Sequence, residues 1–199
     1  MFAPPALDLS LFTLLNQQWR SPLLDVLLPV FSLRAPLFFI LAGLLVWRCW
    51  RRGKGQAVYF ILLVLVMGVS DLSTNQVKHA VGRLRPVQSL PGVYHQEHVR
   101  WQRLPEDYTP ERERGTSFPS AHAANSAALA LMAALLWRRA RPYIWALPVV
   151  VGWSRLYVGK HFPLDVLAGW ALGLVVASLC WLAWKALARR YGLQLRPEK

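Results

Sequence analysis

The chain has 199 residues, enough for one domain, and 55% of them are hydrophobic, including ten tryptophans. The apolar residues come in runs, which is typical of a membrane protein and argues against a soluble globular core. The formal net charge of +13 would suit nucleic-acid binding, but most of the cations flank apolar runs, so anionic lipid headgroups and the positive-inside rule explain them more simply.

The first 33 residues are expected to form helical segments that lie in the membrane interface. Residues 1–20 are mildly amphipathic, and residues 22–33 are apolar but shorter than the roughly 20 residues that a membrane span needs. We therefore predict interfacial helices over 6–33, with a sixth span as the alternative. The N-terminus lacks a basic stretch followed by an apolar core and a small-residue cleavage site, so no signal peptide is expected.

Five apolar runs predict membrane-spanning helices. They lie at about 35–50, 56–73, 120–137, 142–157 and 163–187. Pro148 is expected to kink the fourth of them. The two cysteines, Cys49 and Cys180, fall in or beside these runs, so we expect buried thiols and neither a disulfide framework nor a metal cluster. The predicted fold is an all-α, polytopic transmembrane helical bundle that forms a single domain over residues 1–199.

A polar segment over 74–118 separates the second predicted span from the third. It is too polar to cross a membrane and too long for a simple connector, which indicates a function. If the five spans alternate, the basic clusters at 48–54, 138–141 and 185–199 share one side, which the positive-inside rule makes cytoplasmic. The polar segment and the loop at 155–162 then lie on the extracytoplasmic side. Seven lysines and arginines of the polar segment also lie there, an excess that a functional need for cations would explain.

A polar stretch from Ser154 to Asp165 interrupts the apolar sequence between the last two predicted spans. Pro163 suits the first turn of a helix, where its missing N–H needs no partner. His161 would then lie just before that helix, with Asp165 inside its first turn. A carboxylate so placed can hold one imidazole nitrogen and leave the other free to attack. The alternative is a juxtamembrane loop with a few solvated charges.

A second polar cluster follows the predicted second span. It reads Lys78-His79-Ala80-Val81-Gly82-Arg83-Leu84-Arg85-Pro86. Lys78 offers a compact ammonium, and Arg85 offers a planar fork that suits phosphate oxygens. The alternative is a set of ordinary cations that extend from a membrane edge into water.

A third polar cluster opens the third predicted span. Ser120 is a good N-cap for the apolar helix that follows, so the N–H groups of Ala121 and His122 would be unpaired and point outward. A helix N-terminus of this kind binds anions. A plain cap is the alternative, but a cap does not need a histidine two residues later. Together, the three clusters would place cations, helix N–H groups and two histidines around one anion, which indicates phosphoryl chemistry.

The three stretches resemble the motifs of the type 2 phosphatidic acid phosphatase (PAP2) superfamily. Lys78–Pro86 matches the pattern K-x6-R-P, Pro119–His122 matches P-S-G-H, and Ser154–Asp165 matches S-R-x5-H-x3-D. The order of the motifs and the spacing within each agree, over a region from about 56 to 187. Ala121 stands where the pattern usually has glycine; it still supplies an N–H group but restricts the backbone.

The resemblance implies an all-helical membrane enzyme that hydrolyses lipid phosphate esters or diphosphates without a metal or other cofactor. His161 would attack phosphorus and form a phosphohistidine, with Asp165 orienting it. His122 would protonate the leaving oxygen and then activate water. The residues implied to bind the phosphoryl oxygens are Lys78, Arg85, Ser120, Ala121 and Arg155. The residues agree with this, since no carboxylate pair on the predicted outer face could hold a divalent cation, and fixed cations could do that work.

The expected partner is a lipid phosphate in the bilayer and not a nucleic acid, and no oligomeric state is predicted. Compact size and short loops favour a polyprenyl diphosphate such as undecaprenyl diphosphate; phosphatidate, phosphatidylglycerol phosphate and lipid A phosphates are the alternatives. We expect the protein in a bacterial inner membrane, with its site on the extracytoplasmic side. Two other functions remain as alternatives: a vanadate-dependent haloperoxidase, which five apolar spans argue against, and a lipid-phosphate transporter or binder, which would need no nucleophile.

Overall fold

The computed structural model describes residues 4–97 and 100–192, with the backbone alone at 34–38. Within those residues the chain forms eight α-helices and one hairpin. The helices are α1 (Ala6–Thr13), α2 (Pro22–Val30), α3 (Arg34–Arg52), α4 (Gln56–Val81), α5 (Ala121–Leu136), α6 (Arg141–Ile144), α7 (Ala146–Tyr157) and α8 (Pro163–Arg190). A π-helical turn (Leu14–Gln18) continues α1, and short 3₁₀ turns lie at Pro86–Gln88 and Arg138–Ala140.

Two of the predicted helix starts are confirmed. The side chain of Ser120 accepts a hydrogen bond from the N–H of Ala123 at 3.5 Å and so caps α5. Pro163 is the first residue of α8, and Asp165 lies in its first turn. Both signals depend on residues within one helical turn, which is why they can be read from the sequence.

The second and fourth spans differ from the prediction. Helix α4 continues beyond residue 73 to Val81 and ends at Gly82, whose positive φ of 66° suits a glycine C-cap. Lys78 therefore lies in the last turn of α4 and not beyond the helix. The fourth span is divided at Trp145 into α6 and α7. The break lies where Pro148 acts, because a proline cannot donate to the carbonyl four residues before it, here that of Ile144, and Pro148 itself lies in the first turn of α7.

A two-stranded hairpin in the polar segment corrects the all-α prediction. Strands β1 (Tyr94–Glu97) and β2 (Arg100–Arg103) pair antiparallel, with Tyr94 opposite Arg103. Neither strand alternates clearly between apolar and polar residues, so the sequence carries no strand signal. The buried side chain of Asn16 holds the hairpin: it accepts from the N–H of Tyr94 and donates to the Tyr94 carbonyl, both at 2.9 Å. The same amide also donates to the Tyr157 carbonyl at 2.7 Å.

The N-terminal region forms two short helices, α1 and α2, and not one continuous span. Helix α1 buries Asp8 and Phe12, whereas Leu7 is 71% exposed. The exposed face of α1 is therefore apolar and its carboxylate is buried, an arrangement that suits a helix whose outer face touches lipid. Its inner face belongs to the protein interior, because Phe12 packs on Phe162 with ring centroids 5.5 Å apart. The N-terminal region therefore contributes to the interior around the loop before α8.

Helix α5 is the centre of the bundle and packs against α4, α7 and α8. Its alanine-rich sequence buries most of its residues. Against α4 it forms an apolar core that includes Phe60, Leu63, Val66, Leu129 and Met132. Small side chains allow the other helices to approach α5 closely, which is typical of helix pairs in membranes.

The closest of these contacts joins α5 to α8 through Gly169 and Gly173, spaced as in a G-x-x-x-G pattern. A Cβ atom added at Gly173 would lie 2.1 Å from the Ala124 carbonyl oxygen, and one at Gly169 would lie 2.5 Å from the Ser120 carbonyl oxygen. Both obstacles are backbone atoms, which a rotamer change cannot move. The two glycines therefore set the distance between the start of α5 and the start of α8.

We expect Gly173→Ala to destabilise the protein, because the new methyl group forces α5 and α8 apart. Overpacking of this kind costs about 1–3 kcal/mol, and the midpoint of thermal unfolding in detergent, followed by tryptophan fluorescence, should fall. Gly43→Ala is the matched control, since Gly43 lies in α3 and an added Cβ would meet no atom within 4 Å. Equal midpoints for the two variants would contradict the close α5–α8 contact.

Much of the outer surface is apolar, as a bilayer requires. Among the described helices, two are long and apolar enough to cross a membrane, those that begin at Gln56 and Pro163. Both expose large apolar side chains: Ile61, Val64 and Leu65 in α4, and Val175, Leu179 and Leu182 in α8. Exposed side chains of this size, in rows along two long helices, are costly in water and favourable in hydrocarbon. Together with the helical content, they indicate a membrane protein.

Candidate active site

The loop between α7 and α8 holds His161 in a fixed backbone. Gly159 has a positive φ of 71°, and an added Cβ there would lie 2.6 Å from the Tyr94 carbonyl oxygen, so only glycine fits this turn. The N–H groups of Lys160 and His161 both donate to the Arg155 carbonyl, at 3.1 and 3.3 Å. His161 is 2% exposed. The loop therefore presents a buried imidazole at the start of α8.

Asp165 lies beside His161, as the spacing of the third motif predicts. Its Oδ2 is 3.6 Å from His161 Nδ1, which is an ion-pair distance and longer than a hydrogen bond. The same oxygen accepts from the Phe162 N–H at 2.8 Å and from the Ser117 hydroxyl at 2.6 Å. The carboxylate is thus held on the Nδ1 side of the ring, and Nε2 is the nitrogen on the other side.

The pKa of His161 is lowered to about 4, mainly because burial disfavours its charged form. The positive charges of Arg155 and Arg85 also lower this pKa, whereas Asp165 raises it. Since the pKa lies well below 7, the imidazole is neutral at physiological pH. A neutral ring has the free lone pair that a nucleophile needs.

This low pKa predicts how stability changes with pH. In the unfolded chain the pKa of histidine is near 6.5. Between about pH 6.5 and 4 the unfolded state therefore binds a proton at this residue and the folded state does not. Stability should therefore be retained above pH 6.5 and fall as the pH drops toward 4, by about 3 kcal/mol for this one group. Against a His161→Gln variant, the thermal midpoint of the wild type should fall more steeply over this range. Parallel curves would contradict a buried neutral His161.

Two predicted phosphate ligands, Arg85 and Arg155, are near His161. Arg155 is buried in the last turn of α7, where its guanidinium donates to the Ser32 carbonyl at 3.4 Å. Arg85 is half-buried and donates to Thr116 Oγ1 at 3.4 Å. Burial lowers the pKa of Arg85, and the negative charge of Asp165 opposes part of that shift. A backbone hydrogen bond of 3.1 Å from the Val87 N–H to the Gly159 carbonyl joins their two segments. The first and third motifs therefore meet at one place.

Lys160 is a third cation of this cluster, to which the sequence alone assigned no role in phosphate binding. It is half-buried, and its pKa is lowered by burial and then by the charges of Arg155 and Arg85. Three cations that repel one another in a partly buried place favour an anion between them. The available signal was the position of Lys160 directly before the candidate nucleophile.

The second motif joins the same place through the backbone. The Ser120 N–H donates to the Asp165 carbonyl at 2.8 Å, so the start of α5 is fixed to the first turn of α8. Ala121 and His122 are the first two residues of α5, where N–H groups lack partners within the helix. The side chain of Ser120 is fully buried and caps α5. Binding of phosphate by Ser120 and Ala121, and by Lys78 at the end of α4, stays a prediction.

Asp8 and Arg83 also contribute to the site, and neither was singled out from the sequence. Arg83 donates from one guanidinium nitrogen to Asp165 Oδ1 at 2.7 Å and from the other to Asp8 Oδ2 at 2.5 Å. Both residues are 2% exposed. One signal could have found Asp8: a carboxylate within an apolar N-terminal helix is expensive in a membrane unless a partner is present.

A cavity of about 450 Å³ opens beside His122. Its walls come from α2, α3, α4, α5 and α7 and are mainly apolar, with Val30, Val64, Met67 and Val151 among the lining residues. Asp71 and Asn125 also line the cavity, and the Asn125 amide donates to Asp71 at 3.3 Å. The cavity is large enough for part of an aliphatic chain next to the histidine. Among the described residues, no group of three or more His, Cys, Asp or Glu is placed to hold a metal ion.

Comparison with known proteins gives consistent similarities. The putative undecaprenyl-diphosphatase YbjG of Escherichia coli K12 is 27% identical over 187 residues, which cover 92% of this chain and 86% of that protein. Phosphatidylglycerophosphatase B of Bacillus subtilis is 28% identical over 181 residues, covering 83% and 76%. The crystal structure of Aquifex aeolicus LpxE matches with a TM-score of 0.67 and 25% identity, over 89% of this chain and 96% of that chain.

The family profile described as the PAP2 superfamily matches residues 59–189, well over half of the chain. The matched region includes the three motifs, so the resemblance drawn from them is confirmed. The chain belongs to the PAP2 superfamily.

Proposed function

We propose that this protein is a membrane lipid phosphatase that hydrolyses a lipid phosphate or diphosphate through a phosphohistidine at His161. One observation carries the proposal: the buried imidazole of His161 lies beside the carboxylate of Asp165 and within the electrostatic reach of Arg85 and Arg155. A binding protein would need the cations alone, whereas the imidazole with its carboxylate partner is the arrangement of a nucleophile. The relatives named above are phosphatases of lipid substrates by their names.

In the first step, Nε2 of His161 attacks phosphorus while Arg85, Arg155 and Lys160 bind the non-bridging phosphoryl oxygens. A nitrogen–phosphorus bond forms and the bond from phosphorus to the leaving oxygen breaks. Positive charge develops on the imidazole, and Asp165 on the Nδ1 side stabilises it. Fixed cations stabilise the phosphoryl oxygens without having to reorganise during the reaction.

His122 acts on oxygen in both steps. In the first step it donates a proton to the leaving oxygen as the bond to phosphorus breaks, so that the lipid departs as an alcohol or as a lipid monophosphate. In the second step the neutral His122 accepts a proton from water, which attacks phosphorus, breaks the nitrogen–phosphorus bond and releases inorganic phosphate and free His161. The position of His122 at the first turn of α5, beside the cavity, suits this role.

The substrate is proposed to place its first chain segments in the cavity beside His122. The mainly apolar walls suit an aliphatic or polyprenyl chain, and the opening lies among helices whose outer surfaces are apolar. Undecaprenyl diphosphate is the substrate that we favour, with phosphatidate, phosphatidylglycerol phosphate and lipid A phosphates as alternatives.

The topology is part of the proposal. Helix α3, helix α5 and the α6–α7 pair are proposed to cross the membrane with α4 and α8, in a single domain over residues 1–199. The basic clusters at 48–54 and 138–141 would then be cytoplasmic in a bacterial inner membrane. The site would lie on the extracytoplasmic side. An impermeant thiol reagent should label a single cysteine placed at Glu106 in intact cells, once Cys49 and Cys180 are removed.

The proposed function is tested by phosphate release from a panel of lipid phosphates in detergent. We expect activity that survives strong chelation, because the cations of the cluster would neutralise the phosphoryl oxygens. The panel is measured with and without chelator and after adding magnesium back. Complete loss of activity in chelator, restored by magnesium, would contradict the metal-free mechanism. Halide oxidation with added vanadate would favour a haloperoxidase, and substrate binding without any phosphate release would favour a transporter or binder.

A further inference from the structure

A chain of three buried charges extends away from His161. Asp8, Arg83 and Asp165 are each 2% exposed or less, and Arg83 bridges the two carboxylates at 2.5 and 2.7 Å. The guanidinium also lies over the ring of Phe162, 4.2 Å from its centroid. Two carboxylates and one guanidinium leave one net negative charge behind the imidazole.

The other oxygen of Asp8 fixes the helix that carries Asp165. Asp8 Oδ1 accepts from the Leu164 N–H in the first turn of α8 at 2.7 Å. The N-cap residue of α8 is Phe162, whose side chain cannot accept a hydrogen bond, and Pro163 has no N–H. Helix α1 therefore supplies, from a distant part of the sequence, the cap that α8 lacks.

Stability alone does not account for these buried charges. The desolvation of a buried ion pair can exceed its Coulombic gain, so well-packed apolar residues of similar volume often stabilise a protein at least as well. A second role fits the geometry better. Because Arg83 holds Oδ1 of Asp165, and Ser117 with the Phe162 N–H holds Oδ2, the carboxylate can face His161 in one orientation only.

We propose that Asp8 and Arg83 are positioning residues for the nucleophile, which act on His161 through Asp165. This inference rests on the proposed role of His161. Arg83 orients the carboxylate, and Asp8 balances the charge of Arg83 so that Asp165 keeps its negative charge for the imidazole. Without Asp8, the full charge of Arg83 would act on Asp165, and the positive charge that develops on His161 during attack would lose its stabilisation.

Asp8→Asn tests this inference because it removes the charge and keeps the size. We expect kcat for a short-chain phosphatidate in detergent to fall about 10- to 100-fold, the loss seen when residues that orient metal ligands from behind are removed, while KM changes by less than about twofold. The acidic limb of the kcat/KM profile should also move to lower pH, because a less negative surrounding makes His161 harder to protonate. Among the described residues, the charged groups that act on His161 are Asp165 from α8, Arg155 from α7 and Arg85 from the segment after α4. Lys160 adjoins it in its own loop, and Arg83 and Asp8 act on it through Asp165.

Phe12→Leu is the matched control for a purely structural role. Phe12 lies on the same helix and is fully buried, so this change loosens α1 without altering a charge. It should lower thermal stability but leave the acidic limb at the wild-type pH. Asp8→Asn could instead lower activity only in proportion to the loss of folded protein, with the acidic limb of the kcat/KM profile unchanged. Asp8 would then only stabilise the fold, and the inference would be wrong.

Arg83→Lys tests the other member of the Asp8–Arg83 pair by the same comparison of kcat with KM. An ammonium can approach one carboxylate but cannot bridge two in the fixed geometry of a guanidinium, so kcat should fall and KM should change little. This variant decides the question if Asp8→Asn does not fold; wild-type kcat in folded Arg83→Lys would overturn the inference. Failure of the proposed function gives a different result: either the wild type itself releases no phosphate, or phosphate release persists in His161→Ala.

Discussion

Replacing His161 with alanine should abolish both phosphate release and the acid-labile phosphoenzyme. The imidazole is the only proposed acceptor of the phosphoryl group, and loss of a nucleophile leaves only the catalysis that binding and charge stabilisation provide. The phosphoenzyme is measured by acid quench after brief incubation with a ³²P-labelled lipid phosphate. The cation cluster is untouched, so binding of substrate should be retained.

The control for this experiment is His95→Ala, which removes a histidine from hairpin strand β1, outside the proposed machinery. That variant should keep its phosphoenzyme and its turnover. Labelled phosphate trapped on His122 in the His161→Ala protein would reverse the assignment of the two histidines. Undiminished turnover in His161→Ala would reject the phosphohistidine mechanism altogether.

Replacing His122 with alanine should slow turnover by about 10²–10⁴-fold, the usual effect of losing a general acid–base. The loss in the rate of phosphoenzyme formation should be smaller for a nitrophenyl phosphate, because nitrophenolate leaves without a proton. Since His122 is also proposed to activate the water of the second step, phosphoenzyme should accumulate in the variant. Rapid-quench measurement of phosphoenzyme and product gives both rates.

The dependence on the leaving group separates a proton donor from a residue that only shapes the cavity. Val151→Ala is the comparison variant, because Val151 lines the same cavity and its side chain cannot donate a proton. This variant should alter KM for lipid substrates, but its effect on the rate should not depend on whether the leaving group needs a proton. An equal loss in the rate of phosphoenzyme formation for the lipid and the nitrophenyl substrate in His122→Ala would contradict its role as an acid.

The sequence by itself determined the local parts of this site. Ser120 caps α5, and Pro163 starts α8 with Asp165 in its first turn, because these relations involve residues within a few positions of one another. The helical segments also follow from the apolar runs, since a run of that length can satisfy its backbone only as a helix in a membrane. The apolar run marked the end of helix α4 poorly, because residues 74–81 are polar yet still helical; Gly82, a glycine in the left-handed conformation, was the better signal.

Tertiary structure alone decided which distant groups complete the site. Arg83 reaches Asp165 across 82 positions, and Asp8 reaches Arg83 across 75. The same holds for Asn16, which joins the N-terminal turn to the hairpin and to α7. A buried carboxylate requires a partner, but its charge and burial do not say where in the sequence that partner is. Only the packing of α1 and α8 against the segment after α4 determines that the partner of Asp8 is Arg83. For that reason the residues that hold the candidate nucleophile were visible in its motif, whereas those that hold its carboxylate emerged only from the fold.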